Sequence, residues 1–125
     1  MYDKELVLDI ISQMEATLQT VIHRTERIRS VDDFLRSDSG MILLDSVCMK
    51  LVAVGESLKN IDKITHNSLL VKYDGVNWKD IKGMRDVIVH HYFEIDADIV
   101  YKTLSHDVPV LLSVFGAMRS DLSSQ

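Results

Sequence analysis

Residues 3–29 read DKELVLDIISQMEATLQTVIHRTERIR. Apolar side chains stand at Val7, Ile11, Met14, Leu18, Val21 and Ile28 in alternating steps of four and three, with Thr25 in the remaining place. That spacing keeps one stripe on a helix and would scatter on a strand, so it predicts an amphipathic helix of about four heptads with one face turned to a core. Working outward, Ser30 followed by Val31-Asp32-Asp33 reads as an N-cap with an acid three residues on, opening a short second helix through Phe34 and Leu35. Ser37 to Gly40 read as a break. A third helix is expected from about Met41 to Lys59, with Leu44, Cys48, Leu51, Gly55 and Leu58 on one seam. Glycine costs about 1 kcal/mol against alanine inside a helix, so Gly55 in that seam points to a close approach by another backbone.

Residues 60–76 carry no clear period beyond an apolar patch, Leu69-Leu70-Val71, and a turn at Tyr73-Asp74-Gly75. Asn77, with Asp80 three residues later, caps a fourth helix that starts at Trp78 and carries Ile81, Met84, Ile88 and His91. Asp96 caps a fifth, and Pro109 predicts a kink or break near His106 to Val108 before a last helical stretch through Met118. The 125 residues contain one proline and five glycines, too few turn formers for a sandwich of short strands, and 46% apolar content is enough for a core without covalent staples. The expected architecture is a single all-α domain, residues 1–125: an antiparallel, up-and-down helical bundle of four to five main helices.

A formal net charge of −5 argues against a protein that coats duplex nucleic acid, which relies on clustered cations, yet it allows a local basic site. The lone cysteine, Cys48, among apolar neighbours, reads as a buried small hydrophobe in a reducing compartment. The mixed-charge N-terminus and the lack of a spanning apolar run give the expectation of a cytoplasmic protein with no membrane partner. Asp96 and Asp98 form a D-x-D pair, but an N-cap and a first-turn acid explain them without a metal.

Chemistry concentrates between Lys79 and Tyr92. On a continuous helix His90 stands one turn beyond Asp86, whose carboxylate would fix the imidazole tautomer, and Arg85 lies about 140° round the axis with reach enough to share a ligand. Lys79 and Lys82 add positive charge, which marks them with His91 as candidate RNA or phosphate contacts. An Arg and a His converging on one phosphate suffice for RNA cleavage without a metal: the His takes a ribose 2′-hydroxyl proton or protonates the leaving oxygen, and the Arg stabilises the phosphorane. The same pattern also fits a structural role, with Arg85 and Asp86 as surface charges and His90 as a helix C-terminal cation.

The segment from Trp78 to Asp96, WKDIKGMRDVIVHHYFEID, resembles the signature of the HEPN superfamily, specifically the HepT-like toxins paired with a minimal nucleotidyltransferase antitoxin. The family pattern is Arg, four residues, His, any residue, Tyr, matched by Arg85, His90 and Tyr92; Val54-Gly55-Glu56 resembles the family's Ile-Gly-Glu in the third helix. The resemblance implies an all-α bundle that dimerises with two such motifs facing one cleft. It implies a metal-independent endoribonuclease toxin needing no cofactor, in which Arg85 and His90 are catalytic and Asp86 supports them. It further implies that the partner nucleotidyltransferase transfers AMP to Tyr92 and silences the site. His91 is either a second functional imidazole or a packed interface residue. Two other readings remain beside this one: a non-catalytic helical partner of a nucleotidyltransferase that binds nucleotide or phosphate through Arg85, and a helical regulator whose motif is structural.

Overall fold

The computed structural model describes residues 2–90 and 94–125, with residue 90 described for its backbone alone. The chain is an all-α bundle. Helix α1 (Lys4–Arg24) is capped by Asp3, whose carboxylate accepts from Leu6 N, and buries Val7, Ile11, Met14, Leu18 and Val21, the stripe read from the sequence. It stops at Arg24, short of residue 29. The Thr25 hydroxyl bonds back to Val21 O at 2.8 Å and its N–H to Val21 and Ile22 carbonyls, so the chain turns there with Thr25 buried. A one-turn helix, α2 (Val31–Leu35), then inserts Phe34, fully buried, against the bundle. Ser30 makes no side-chain cap; Asp33 instead accepts from Arg29 N at 2.8 Å and pairs with Arg36.

Helix α3 (Asp38–Thr65) is longer than expected at both ends. Ser37 Oγ accepts from Gly40 N, making Ser37 the cap rather than part of a break. Gly40 sits in the first turn, where a Cβ would meet the Asp33 and Phe34 carbonyl oxygens at 2.5 and 2.7 Å, so glycine lets α2 fold tightly onto α3. The predicted seam is buried throughout, and burial continues through Ile61 and Thr65. The helix ends where His66 and Asn67 take left-handed backbone angles, φ 53° and 61°, and both donate their N–H to Asp62 O. A 3₁₀ turn at Leu70–Lys72 buries Leu70 and leads into the Asp74-Gly75 turn.

The expected fourth helix is two short ones. Helix α4 (Trp78–Lys82), capped by Asn77, ends at Gly83, and α5 (Met84–Ile88) ends at Val89, which is extended. Val87-Ile88-Val89 is a β-branched run that favours extended backbone, and β1 (Val89–His90) pairs antiparallel with β2 (Glu94–Ile95) in the register Val89 with Ile95 and His90 with Glu94. The helical turn expected between Asp86 and His90 is therefore absent; His90 lies on extended backbone.

Asp96 caps α6 (Ala97–Lys102) by accepting from Ile99 N. A π-helical stretch, Thr103–Asp107, joins it without a break to α7 (Val108–Ser123). Pro109 lacks an N–H and its ring crowds the carbonyl four residues back, and a widened turn before it accommodates both defects, so the expected break is a π-turn within one continuing rod. Helices α1 and α7 run antiparallel: Lys4 reaches the Gln125 carbonyl, and Arg119 forks onto the Glu15 carboxylate with bonds of 3.0 and 3.1 Å. At the other end of α1, Arg24 bonds Ser46 near the start of α3. No helix among the described residues is long and apolar enough to cross a membrane.

Candidate functional site

The short helices α4 and α5 are held against α3 by one backbone contact and one ion pair. Gly55 allows the contact: a Cβ there would stand 2.6 Å from Ile81 O and 3.3 Å from Lys82 O. The ion pair joins Lys82 Nζ to Asp62 Oδ2 at 2.5 Å, with both side chains partly buried. Trp78 is anchored by its indole N–H, which donates to Tyr73 O at 2.7 Å. These attachments set the position of Gly83 and hence of Arg85 and Asp86 in the first turn of α5.

Arg85 and Asp86 are both exposed, and as neighbours on α5 they point about 100° apart. They line different depressions. Arg85 borders a largely apolar one of about 450 Å³ with Asp45, Cys48, Met49, Val52, Ile88, Val89 and Ile95. Asp86 borders a polar groove of about 690 Å³ with Lys59, Asp62, Lys63, His66, Asn67, Lys79, Lys82 and Gly83. Lys79, Lys82 and Asp86 are thus brought together, whereas Arg85 borders the other depression. Lys82 is already committed to Asp62, and Lys59 pairs with Glu56 at 2.8 Å; Lys63, Lys79 and Arg85 make no ion pair among the described residues. His90 follows Val89 at the edge of the Arg85 depression, with its backbone opposite Glu94. His91 and Tyr92 lie outside the described residues.

Beneath Arg85, Cys48 is buried, and burial together with the nearby Asp45 carboxylate pushes its thiol up to about 11. It is a neutral thiol at physiological pH and not a nucleophile. Asp96, half of the D-x-D pair, is occupied as the cap of α6. Sequence reading missed Lys59, Lys63, His66 and Asn67. The available signal was the i, i+4 spacing of Lys59 and Lys63, which shares a face only once α3 is known to continue past Lys59.

An all-α bundle carrying an exposed Arg on a short helix, a His on the strand that follows, and a lysine-lined groove alongside places the chain among small all-α helical domains. The family model described as Ribonuclease HepT-like matches residues 14–118, and the chain belongs to that family. It is similar to "Putative RNase TTE0752" of Caldanaerobacter subterraneus subsp. tengcongensis, 30% identical over 78% of this chain and 83% of the relative. It is also similar to "Probable ribonuclease HepT" of Thermococcus cleftensis, 28% identical over 75% of this chain and 87% of the relative. A third relative, "Putative RNase MJ0125" of Methanocaldococcus jannaschii, is 26% identical over 98% of this chain and 95% of its own. No solved structure matches the chain.

Proposed function

We propose that this protein is a metal-independent endoribonuclease, and that its active site is built on Arg85 and His90. The observation that carries the reading is membership of the HepT-like ribonuclease family through a match that includes both residues. The exposed, unpaired setting of Arg85 among the described residues supports it. In the proposed reaction His90 accepts the proton of a ribose 2′-hydroxyl, the 2′-oxygen bonds to the adjacent phosphorus, and the bond to the 5′-oxygen breaks, that oxygen taking a proton from water to leave a 2′,3′-cyclic phosphate and a 5′-hydroxyl. The Arg85 guanidinium, a planar two-pronged donor, balances the charge that builds on the phosphoryl oxygens. Asp86, exposed next to Arg85 on α5 and bordering the lysine groove, supports the pair in this reading.

The working unit in this reading is a homodimer. Its support is the apolar face beside Arg85, where Met49 is 76% exposed and Ile42 68%, with Met41 and Val89 also exposed. The partner is a minimal nucleotidyltransferase that makes the pair a toxin and antitoxin. The Tyr92 oxygen attacks the α-phosphorus of ATP, pyrophosphate leaves, and the attached AMP competes with RNA phosphate for Arg85. The deciding experiment is cleavage of a labelled RNA by the isolated protein in EDTA. Arg85→Ala and His90→Ala are expected to lower the rate by about a hundredfold or more, in line with losing a charge stabiliser or a general base; cleavage by both at the parent rate would place the site elsewhere. Co-incubation with ATP and the partner is expected to add AMP masses that disappear in Tyr92→Phe.

A second reading, a non-catalytic subunit that holds nucleotide through Arg85, draws on the end of α5 at Ile88, which removes the helical contact between Asp86 and His90. Nucleotide binding without RNA cleavage by an unmodified dimer would favour it.

A further inference from the structure

The polar groove between the end of α3 and α4 gathers four lysines, Lys59, Lys63, Lys79 and Lys82, against two carboxylates, Asp62 and Asp86, on a chain whose formal charge is −5. Like charges held together cost free energy unless a counter-charge arrives. Carboxylates already meet part of the demand, Asp62 being taken by Lys82 and Glu56 by Lys59, while among the described residues Lys63 and Lys79 make no ion pair and are left for an incoming anion. His66 sits at the rim in its left-handed cap, exposed, and adds a donor to the same wall.

We infer that this groove is a binding track for the phosphate backbone of a single RNA strand, separate from the cleavage site and feeding it across α5. Three features select the ligand. The space, about 690 Å³, exceeds what one phosphate fills. Lysines dominate its lining and the His66 imidazole at the rim is its one ring, so it offers chiefly cations to a backbone, and these read charge rather than base identity. Its border with the Arg85 depression is a single helix, since Asp86 lines one and Arg85 the other. A strand held by Lys63 and Lys79 reaches Arg85 by crossing that one short helix. The inference takes the identity of the anion from the ribonuclease reading, but the track itself needs no catalysis.

The test is anisotropy of a fluorescein-labelled single-stranded RNA with the full chain, in an Arg85→Ala background so that substrate is not consumed, over a series of salt concentrations. Each phosphate contact on a single strand contributes about 0.7 to the slope of log affinity against log salt, equivalent to about fivefold in affinity near 0.1 M salt. Lys63→Ala and Lys79→Ala are each expected to lose about that much slope and affinity, and the double variant about twenty-five-fold in affinity. Lys72→Ala, an exposed lysine outside the groove, is expected to change neither. Unchanged slope and affinity in the double variant, or no RNA binding by the parent protein, overturns the track. If RNA binding depends on Lys63 and Lys79 but the wild-type chain cleaves nothing, the track stands and the ribonuclease reading falls. If cleavage depends on Arg85 and His90 while the double variant binds normally, the track falls alone.

Discussion

At the residue scale the clearest consequence concerns Cys48. The folded thiol keeps its proton to about pH 11, while an unburied one releases it near 9.0. Between those values the unfolded chain binds fewer protons than the folded one, so stability is complete below pH 9 and falls as pH rises toward 11. Tyr73, raised to about 12 by burial and by its hydrogen bond to Asp121 at 2.6 Å, extends the decline in the same direction. Urea midpoints measured at pH 8 and 10.5 are expected to drop with pH in the wild type and to drop less in Cys48→Ala. A disulfide reagent at pH 8 is expected to react with the folded protein far more slowly than with the urea-unfolded chain; equal rates would mean that Cys48 is not buried.

At the scale of elements, the placement of α4 and α5 depends on Gly55. In Gly55→Ala the new methyl group must displace the Ile81 carbonyl, and overpacking of this kind costs about 1–3 kcal/mol, against about 1 kcal/mol of gained helix propensity. The expected net result is a lower urea midpoint together with lower RNA cleavage, because α5 moves with α4. Gly116→Ala in α7 has nothing within 4 Å of the added Cβ, and stabilisation by up to about 1 kcal/mol is expected there with activity unchanged. The same elements show what local reading can reach. The stripe of α1, the seam of α3, Gly55 as a close approach, and the caps Asn77 and Asp96 were all legible, because capping and 3.6-residue periodicity are properties of neighbouring residues. The end of α5 was not: Ile88 fits a helical stripe, and only pairing of Val89-His90 with Glu94-Ile95 decides for extended backbone.

At the scale of the whole molecule an exposed apolar face runs along α3 and β1, from Met41 past Met49 to Val89. In the dimer reading this face is covered by a second copy. Sedimentation is expected to give a dimer for the wild type and a monomer for Met49→Asp, with the helical circular dichroism retained because Met49 is exposed. Activity in Met49→Asp is expected to fall with the dimer; a dimer that survives the substitution would place the interface on another face.

The sequence by itself determined the helical class, the buried faces of α1 and α3, the family motif and the residues proposed for chemistry, since each follows from short-range spacing or from side-chain type. Only the tertiary structure decided which of those residues share a surface. It set Arg85 in a different depression from Lys79 and Lys82, committed Lys82 to Asp62, and brought Lys63 and His66 from the end of α3 to the groove beside α4. The physical reason is that a long-range juxtaposition depends on where a helix stops and what backbone it packs against. Here those points are the left-handed turn at His66-Asn67, the bare face of Gly55 and the strand that begins at Val89.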